Sequence, residues 1–183
     1  MDQARLFISL PLEGGLTRDI HKGFESLDLP WEKLKVVEPD NMHLTLKFLG
    51  PTPIDKIPDI ISTLDKIKLS EDSIELVTDK AQIFNEKQPR VLSIALQANK
   101  TLQELFDKID QALFDAGLAH KEVRRFKPHL TMARVKQSAT MDEFKDWQNF
   151  KINKIFNLSF FVLMESNLSK QGPHYTTLQS FDL

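Results

Sequence analysis

Apolar and polar residues alternate across residues 4–10, a stretch rich in Leu, Phe and Ile that predicts a first strand. After the Gly14-Gly15 pair the period lengthens. Ile20, Phe24 and Leu27 fall at helical spacing and predict a helix over 16–27. Residues 34–37 read as a short strand before the turn Glu38-Pro39-Asp40-Asn41. Residues 43–49 alternate again, and Gly50-Pro51 is expected to end that strand. Ile57, Ile60, Ile61 and Leu64 form one stripe, predicting a helix over 54–67. Strands are expected over 74–84 and 91–96. Leu102, Leu105, Phe106, Ile109 and Leu113 give the clearest helical face, over 101–114. Thr101 and Glu104 stand at capping-box spacing there, and Gly117 supplies a stop. A strand over 129–135, a short helix over 142–150, and closing strands over 155–164 and 175–181 complete the pattern.

Strands and helices thus alternate irregularly, with several strand pairs joined by short turns. That favours an α+β fold with antiparallel sheets over a doubly wound parallel one. No linker or low-complexity segment interrupts the 183 residues, so 1–183 is expected to be a single domain. An apolar fraction of 41%, a charged fraction of 27% and a formal charge of −2 exclude a disordered or collagen-like chain. The absence of cysteine excludes disulfides, thiolate nucleophiles and cysteine-based zinc sites. The five histidines do not cluster at metal-ligand spacing, and neither a metal nor a cofactor is expected. The opening Met1-Asp2-Gln3-Ala4-Arg5 lacks the basic-then-apolar order of a signal peptide. The longest apolar run, Phe160 to Met164, is far too short to span a bilayer. A cytoplasmic protein without membrane association is the expectation. Net charge does not announce nucleic-acid binding, so any RNA contact must come from local charge.

One motif occurs twice: His43-Leu44-Thr45-Leu46 and His129-Leu130-Thr131-Met132. Each opens a predicted strand followed by a helical stretch, a sign of internal symmetry. Residues two apart on a strand share a face, so each copy puts an imidazole and a hydroxyl on one side and two apolar residues on the other. If both strands face one cleft, it holds two imidazoles and two hydroxyls. A single such copy reads best as a strand with a solvated polar face; two in matching contexts do not. Opening a cyclic phosphodiester needs a base to activate water and an acid to protonate the departing oxygen, and histidine serves either role near neutral pH. Threonine hydroxyls can donate to the non-bridging oxygens, where charge builds. Around the second motif, Lys121, Arg124, Arg125, Lys127 and Arg134 are opposed by Glu122. Lys121 and Arg124 read best as a solvated edge. Arg134, five residues after His129, falls on the other face of an ideal strand unless a bulge or twist intervenes, in which case it suits phosphate. Phe48 is either core or a platform for a nucleobase. His21, His120 and His174 read as structural or local.

With these segments in view, the sequence resembles the two-histidine (2H) phosphoesterase superfamily. Within it, the likeness is to the bacterial and archaeal RNA 2′,3′-cyclic phosphodiesterases, formerly called 2′-5′ RNA ligases. It runs over nearly the whole chain: Arg5-Leu6-Phe7-Ile8, the stretch from Pro39 to Gly50, that from Phe126 to Arg134, Glu165-Ser166-Asn167-Leu168, and Gly172-Pro173-His174-Tyr175. The resemblance implies two pseudo-symmetric lobes, each an antiparallel sheet with helices outside, and an active-site cleft between them. It implies His43 as proton donor, His129 as proton acceptor, and Thr45 and Thr131 as phosphate ligands. Arg134, Tyr175 and Phe48 are the candidates for RNA contact. The implied reaction turns an RNA 2′,3′-cyclic phosphate end into a 2′-phosphate without metal, with a reversible 2′-5′ ligation as a side activity. A monomer without an obligate protein partner is expected. The alternatives are a 2H enzyme for 2′-5′ oligonucleotides or small cyclic nucleotides, and an RNA-binding module without turnover. One departure is visible: relatives usually carry Trp shortly before the first motif, where this chain has Val36, with Trp31 further upstream.

Overall fold

The computed structural model describes residues 2–169 and 172–183, for 168 and 169 the backbone alone. Among them, nine strands join in one antiparallel sheet whose long path reads β7-β4-β5-β6-β3-β1-β8-β9. Here β1 is Gln3–Pro11, β2 Leu34–Val36, β3 His43–Pro53, β4 Ile74–Phe84 and β5 Val91–Leu96. β6 is His129–Val135, β7 Ile155–Leu158, β8 Phe160–Ser169 and β9 Gly172–Asp182. The path divides at the β6/β3 junction into two halves of four strands each. One lobe is β3-β1-β8-β9, the other β6-β5-β4-β7, and β2 adds to β6. Helices α1 (Gly14–Glu25), α2 (Ile57–Leu64), α3 (Lys100–Asp115) and α4 (Lys145–Asn149) follow β1, β3, β5 and β6. Each lobe's two inner strands are therefore each followed by a helix, which is the α+β architecture with paired lobes that the sequence led one to expect. Among the described residues no helix is long and apolar enough to cross a membrane.

The two motif strands share one local design. Both β3 and β6 begin with a half-buried residue and then read buried, half-buried, buried, buried, exposed, half-buried. The doubled buried position is a bulge. Ser9 pairs with Thr45 but Ile8 pairs with Lys47, which leaves Leu46 without a partner on β1. In the other lobe Ser93 pairs with Thr131 and Leu92 with Ala133, which skips Met132 in the same way. After the extra residue the alternation is out of phase by one. Phe48 and Arg134, each five residues past its histidine, therefore return to the histidine face. The odd offset of Arg134 is resolved by this bulge.

On the opposite face, Leu44, Leu46, Leu130 and Met132 enter the core with Ile20 and Phe24 of α1, Ile60 and Leu64 of α2, and Leu105 and Ile109 of α3. Each such side chain, fully buried, contributes about 1.5–3 kcal/mol. One ion pair lies in this interior. Lys47 Nζ donates to Asp110 Oδ1 of α3 at 2.5 Å and to the His120 carbonyl at 2.9 Å. Asp110 Oδ1 also accepts from the backbone N–H of Glu122 at 3.0 Å. The strand that carries His43 thus grips the irregular segment that leads into His129, and the Phe106–Phe126 stack, with centroids 4.3 Å apart, holds the same segment further on.

Four local expectations change. Gly14 and Gly15 lie inside the first turn of α1. β3 continues through Gly50-Pro51 to Pro53, because Gly50 takes φ +72° and the chain bends without leaving the sheet. The cap of α3 is Asn99, whose side chain accepts from Leu102 N–H at 2.8 Å, while Thr101 turns to Glu71. The predicted strand over 155–164 is two strands. β7 pairs with β4 in one lobe and β8 with β1 in the other, so the chain changes lobe at Ser159.

Breaking a buried pair leaves an uncompensated charge, which costs about 3–5 kcal/mol. Lys47→Met is expected to lower the unfolding free energy by that order in denaturant titration, with Lys121 Nζ, 3.8 Å from Asp110 Oδ2, as the remaining cation. The exposed pair Lys108–Glu104 is the control: Glu104→Ala should leave stability almost unchanged.

Candidate active site

Leu44 of β3 lies opposite Leu130 of β6, and this pair joins the lobes. Antiparallel register then sets His43 level with Thr131 and Thr45 level with His129, all four on the face away from the leucines. The histidines occupy a diagonal, a separation of about 7–8 Å in a sheet. Beyond the junction the free edge of β6 is taken by β2, with Val36 paired to Ala133 and Lys35 to Arg134. β3 and β6 diverge there, and a cavity of about 740 Å³ opens above the four side chains. All four line it, as do Arg134, Phe48 and Tyr175.

The two imidazoles are held alike. His43 Nδ1–H donates to the Asn41 carbonyl at 2.8 Å, and His129 Nδ1–H to the Lys127 carbonyl at 2.7 Å. Each bond reaches back two residues, fixes the tautomer and leaves Nε2 free. Burial pushes the pKa of both below the ordinary 6.5, against the carbonyl bonds that raise it, and the Arg134 guanidinium lowers both further. For His43 the charge of His129 acts in the same direction. Among the described residues, neither Thr45 nor Thr131 spends its hydroxyl on a hydrogen bond. The floor thus offers two nitrogens able to take or give a proton and two free hydroxyl donors.

The walls are aromatic. His43 packs against Phe7 at 5.0 Å and edge-on to Tyr175 at 5.2 Å between ring centroids. His129 has Phe84 edge-on at 4.8 Å. Phe48 is 64% exposed and lines the cavity, so it is not part of the core. Burial raises the pKa of Tyr175, opposed by the charges of Arg134 and Arg5. Arg5, Lys35, Glu38, Phe7 and Phe84 also line the cavity and were not singled out from sequence. Period-two alternation from Phe7 would have reached Arg5, but nothing local marks Phe84 at the far end of β4. Lys121, Arg124, Arg125 and Lys127 stay outside the lining, and Arg124 pairs with Glu122 at 3.2 Å. Val36 lines the cavity where a Trp was expected from the resemblance, and Trp31 packs on Phe24 of the core at 5.2 Å. His21 is buried beside Glu25, and His120 and His174 are outside the lining.

The chain matches the family described as LigT like Phosphoesterase twice in tandem, over residues 10–93 and 94–175. The RNA 2′,3′-cyclic phosphodiesterase of Methanocaldococcus jannaschii is 29% identical, over 97% of this chain and 99% of that protein. The protein of the same name from Thermotoga maritima is 32% identical over 78% and 75%. The crystal structure of E. coli LigT complexed with 3′-AMP shares the fold with a TM-score of 0.78 at 24% identity, covering 100% of this chain and 99% of that one. A tandem match that spans both motifs, on a fold that brings those motifs to one cavity, makes this chain a member of the LigT-like, two-histidine phosphoesterase family.

Proposed function

We propose that the chain hydrolyses RNA 2′,3′-cyclic phosphate ends to 2′-phosphates, with residues 1–183 acting as one bilobal domain. The observation that carries the reading is the matched pair of imidazoles. Each is tied back through Nδ1 and has Nε2 free over a floor that also offers two unengaged threonine hydroxyls. The names of the relatives from Methanocaldococcus jannaschii and Thermotoga maritima support the substrate class.

In this mechanism the cyclic phosphate sits between the histidines. His129 Nε2 takes a proton from water as the water oxygen attacks phosphorus. The bond from phosphorus to the 3′ oxygen breaks, and His43 Nε2, protonated beforehand, gives its proton to that oxygen. A 2′-phosphate and a free 3′-hydroxyl result. Thr45 and Thr131 donate to the non-bridging oxygens, and Arg134 offsets the charge that gathers there. The terminal base lies on Phe48, with Tyr175 at its side. Two positions that correspond in the lobes thus differ in kind, Phe48 on one and Arg134 on the other, which gives the nucleotide a direction in a nearly symmetric cleft. The same steps with a 5′-hydroxyl in the place of water would join it to the cyclic end as a 2′-5′ bond, leaving the 3′-hydroxyl free, and that joining run backwards would cleave the bond. The enzyme is proposed to work as a cytoplasmic monomer without a protein partner.

The test is an RNA ending in a 2′,3′-cyclic phosphate, incubated in EDTA, with the product end mapped. A 2′-phosphate product is expected, with kcat lower by about 10²–10⁴-fold in His43→Ala and in His129→Ala. A 3′-phosphate product, or activity that survives both substitutions, contradicts the reading. The pH dependence is a second check. Both imidazoles titrate below their ordinary value, so the singly protonated form required here is most abundant below pH 6.5, and kcat/KM should follow a bell centred there. Removing the like charge in Arg134→Gln raises both pKa values and should move both limbs of the bell to higher pH. Limbs that stay in place would show that Arg134 does not act on the pair.

A further inference from the structure

The cavity extends beyond the histidine floor, and three cations line it: Arg134, Lys35 and Arg5. Among the described residues none of the three is in an ion pair, whereas Lys33, Lys47 and Lys154 each meet a carboxylate. One carboxylate, Glu38, lines the same space. Arg134 and Lys35 stand level on neighbouring strands, so they serve the same end of the cleft. Arg5 lies elsewhere. It precedes Phe7 by two residues on β1 and so shares its face, on the far side of that ring from the reacting centre. Phe7 contacts His43, Phe48 and Tyr175. The charge of Arg134 is felt at both imidazoles and at Tyr175, while that of Arg5 is felt at Tyr175. Arg5 is thus one ring removed from the reacting phosphate, on the wall formed by the aromatic cluster.

We propose that Arg5 binds the internucleotide phosphate on the 5′ side of the terminal nucleotide. The cleft is then a site for an RNA strand end rather than for a free cyclic mononucleotide. This inference rests on the RNA-end reading above and goes beyond it, because that reading needs one nucleotide and one phosphate. The guanidinium is exposed, is not engaged by a carboxylate, and presents a planar fork of donors that matches two phosphate oxygens. A strand whose terminal base lies on Phe48 and whose cyclic phosphate lies between the histidines must leave the cleft somewhere. The Phe7–Tyr175 wall, ending at Arg5, is a route with a cation at its far end.

The experiment compares a short RNA ending in a 2′,3′-cyclic phosphate with the corresponding nucleoside 2′,3′-cyclic phosphate, across a range of salt concentrations. For Arg5→Gln, kcat/KM on the RNA is expected to fall about ten-fold or more, the loss of one charge-assisted phosphate contact. The slope of log kcat/KM against log salt should flatten by about 0.7, one phosphate's share on a single strand. Hydrolysis of the mononucleotide should change less than about two-fold on the same reasoning. Arg5→Lys, which keeps the charge and loses the fork, should keep the salt slope and recover part of the rate. Equal losses on both substrates, an unchanged slope in Arg5→Gln, or a flattened slope in Lys35→Gln instead would overturn the assignment. A wild-type protein that turns over neither substrate sinks the RNA-end reading itself, whereas wild-type turnover with equal losses sinks only this inference.

Discussion

The antiparallel pairing of Leu44 with Leu130 is the contact on which everything else depends. It fixes the register between the two lobes at the place where both carry the same four-residue pattern. Because side chains alternate, setting the leucines against each other in the core puts both imidazoles and both hydroxyls on the other face. A slip of one residue in either strand would bury a histidine and expose a leucine, so the hydrophobic core itself enforces the chemistry. The junction is also short. β2 takes over the edge of β6 after Met132, where the Val37 N–H bonds to its carbonyl, and the lobes part. Without that parting there would be a floor and no cavity.

On this symmetric frame the function comes from the differences. The bulges lie at the same position in both strands, yet they bring different residues to equivalent places. Phe48 faces Arg134 across the cleft, and Lys47 has Ala133 as its counterpart beneath. The first difference sets an aromatic wall against a charged one. The second shows that the sheet itself does not require a buried ion pair at this position, since the other lobe manages with a methyl group. What Lys47 and Asp110 add is a tie between β3 and the segment that presents the Lys127 carbonyl to His129. A buried pair of this kind costs desolvation, offset by the hydrogen bonds that satisfy it, here to the His120 carbonyl and from the Glu122 N–H.

Much of this was legible in the sequence, for reasons that particular residues make clear. β4, β5 and β6 span the residues expected of them, because each is a short run rich in apolar residues set off by polar or turn segments. The repeated His-Leu-Thr revealed the floor because it is a local pattern that occurs twice. The bulges were not legible. A run such as Leu46-Lys47-Phe48 reads as continued alternation, and only pairing to β1 shows that Lys47 turns inward. The split of 155–164 into β7 and β8 was hidden for a similar reason, since both pieces are apolar and only their partners, on different lobes, separate them. The cap of α3 was misplaced because Thr101 and Asn99 are both good capping residues, and the geometry at Leu102 decides between them. Phe84 reaches the cavity from the far end of β4, a property of topology with no local signature, whereas Arg5 lay within reach of the alternation in β1.

The claim at the centre of this account is that the two motifs form one catalytic unit. It is tested most directly by comparing kcat for His43→Ala, His129→Ala and the double variant on one cyclic-phosphate RNA. If one imidazole gives a proton as the other takes one, the first loss removes nearly all that the pair supplies, and the double variant should be little slower than either single one. Losses that multiply, so that the double variant falls by the product of the two single effects, would mean that the histidines act independently and that the shared floor is not one site.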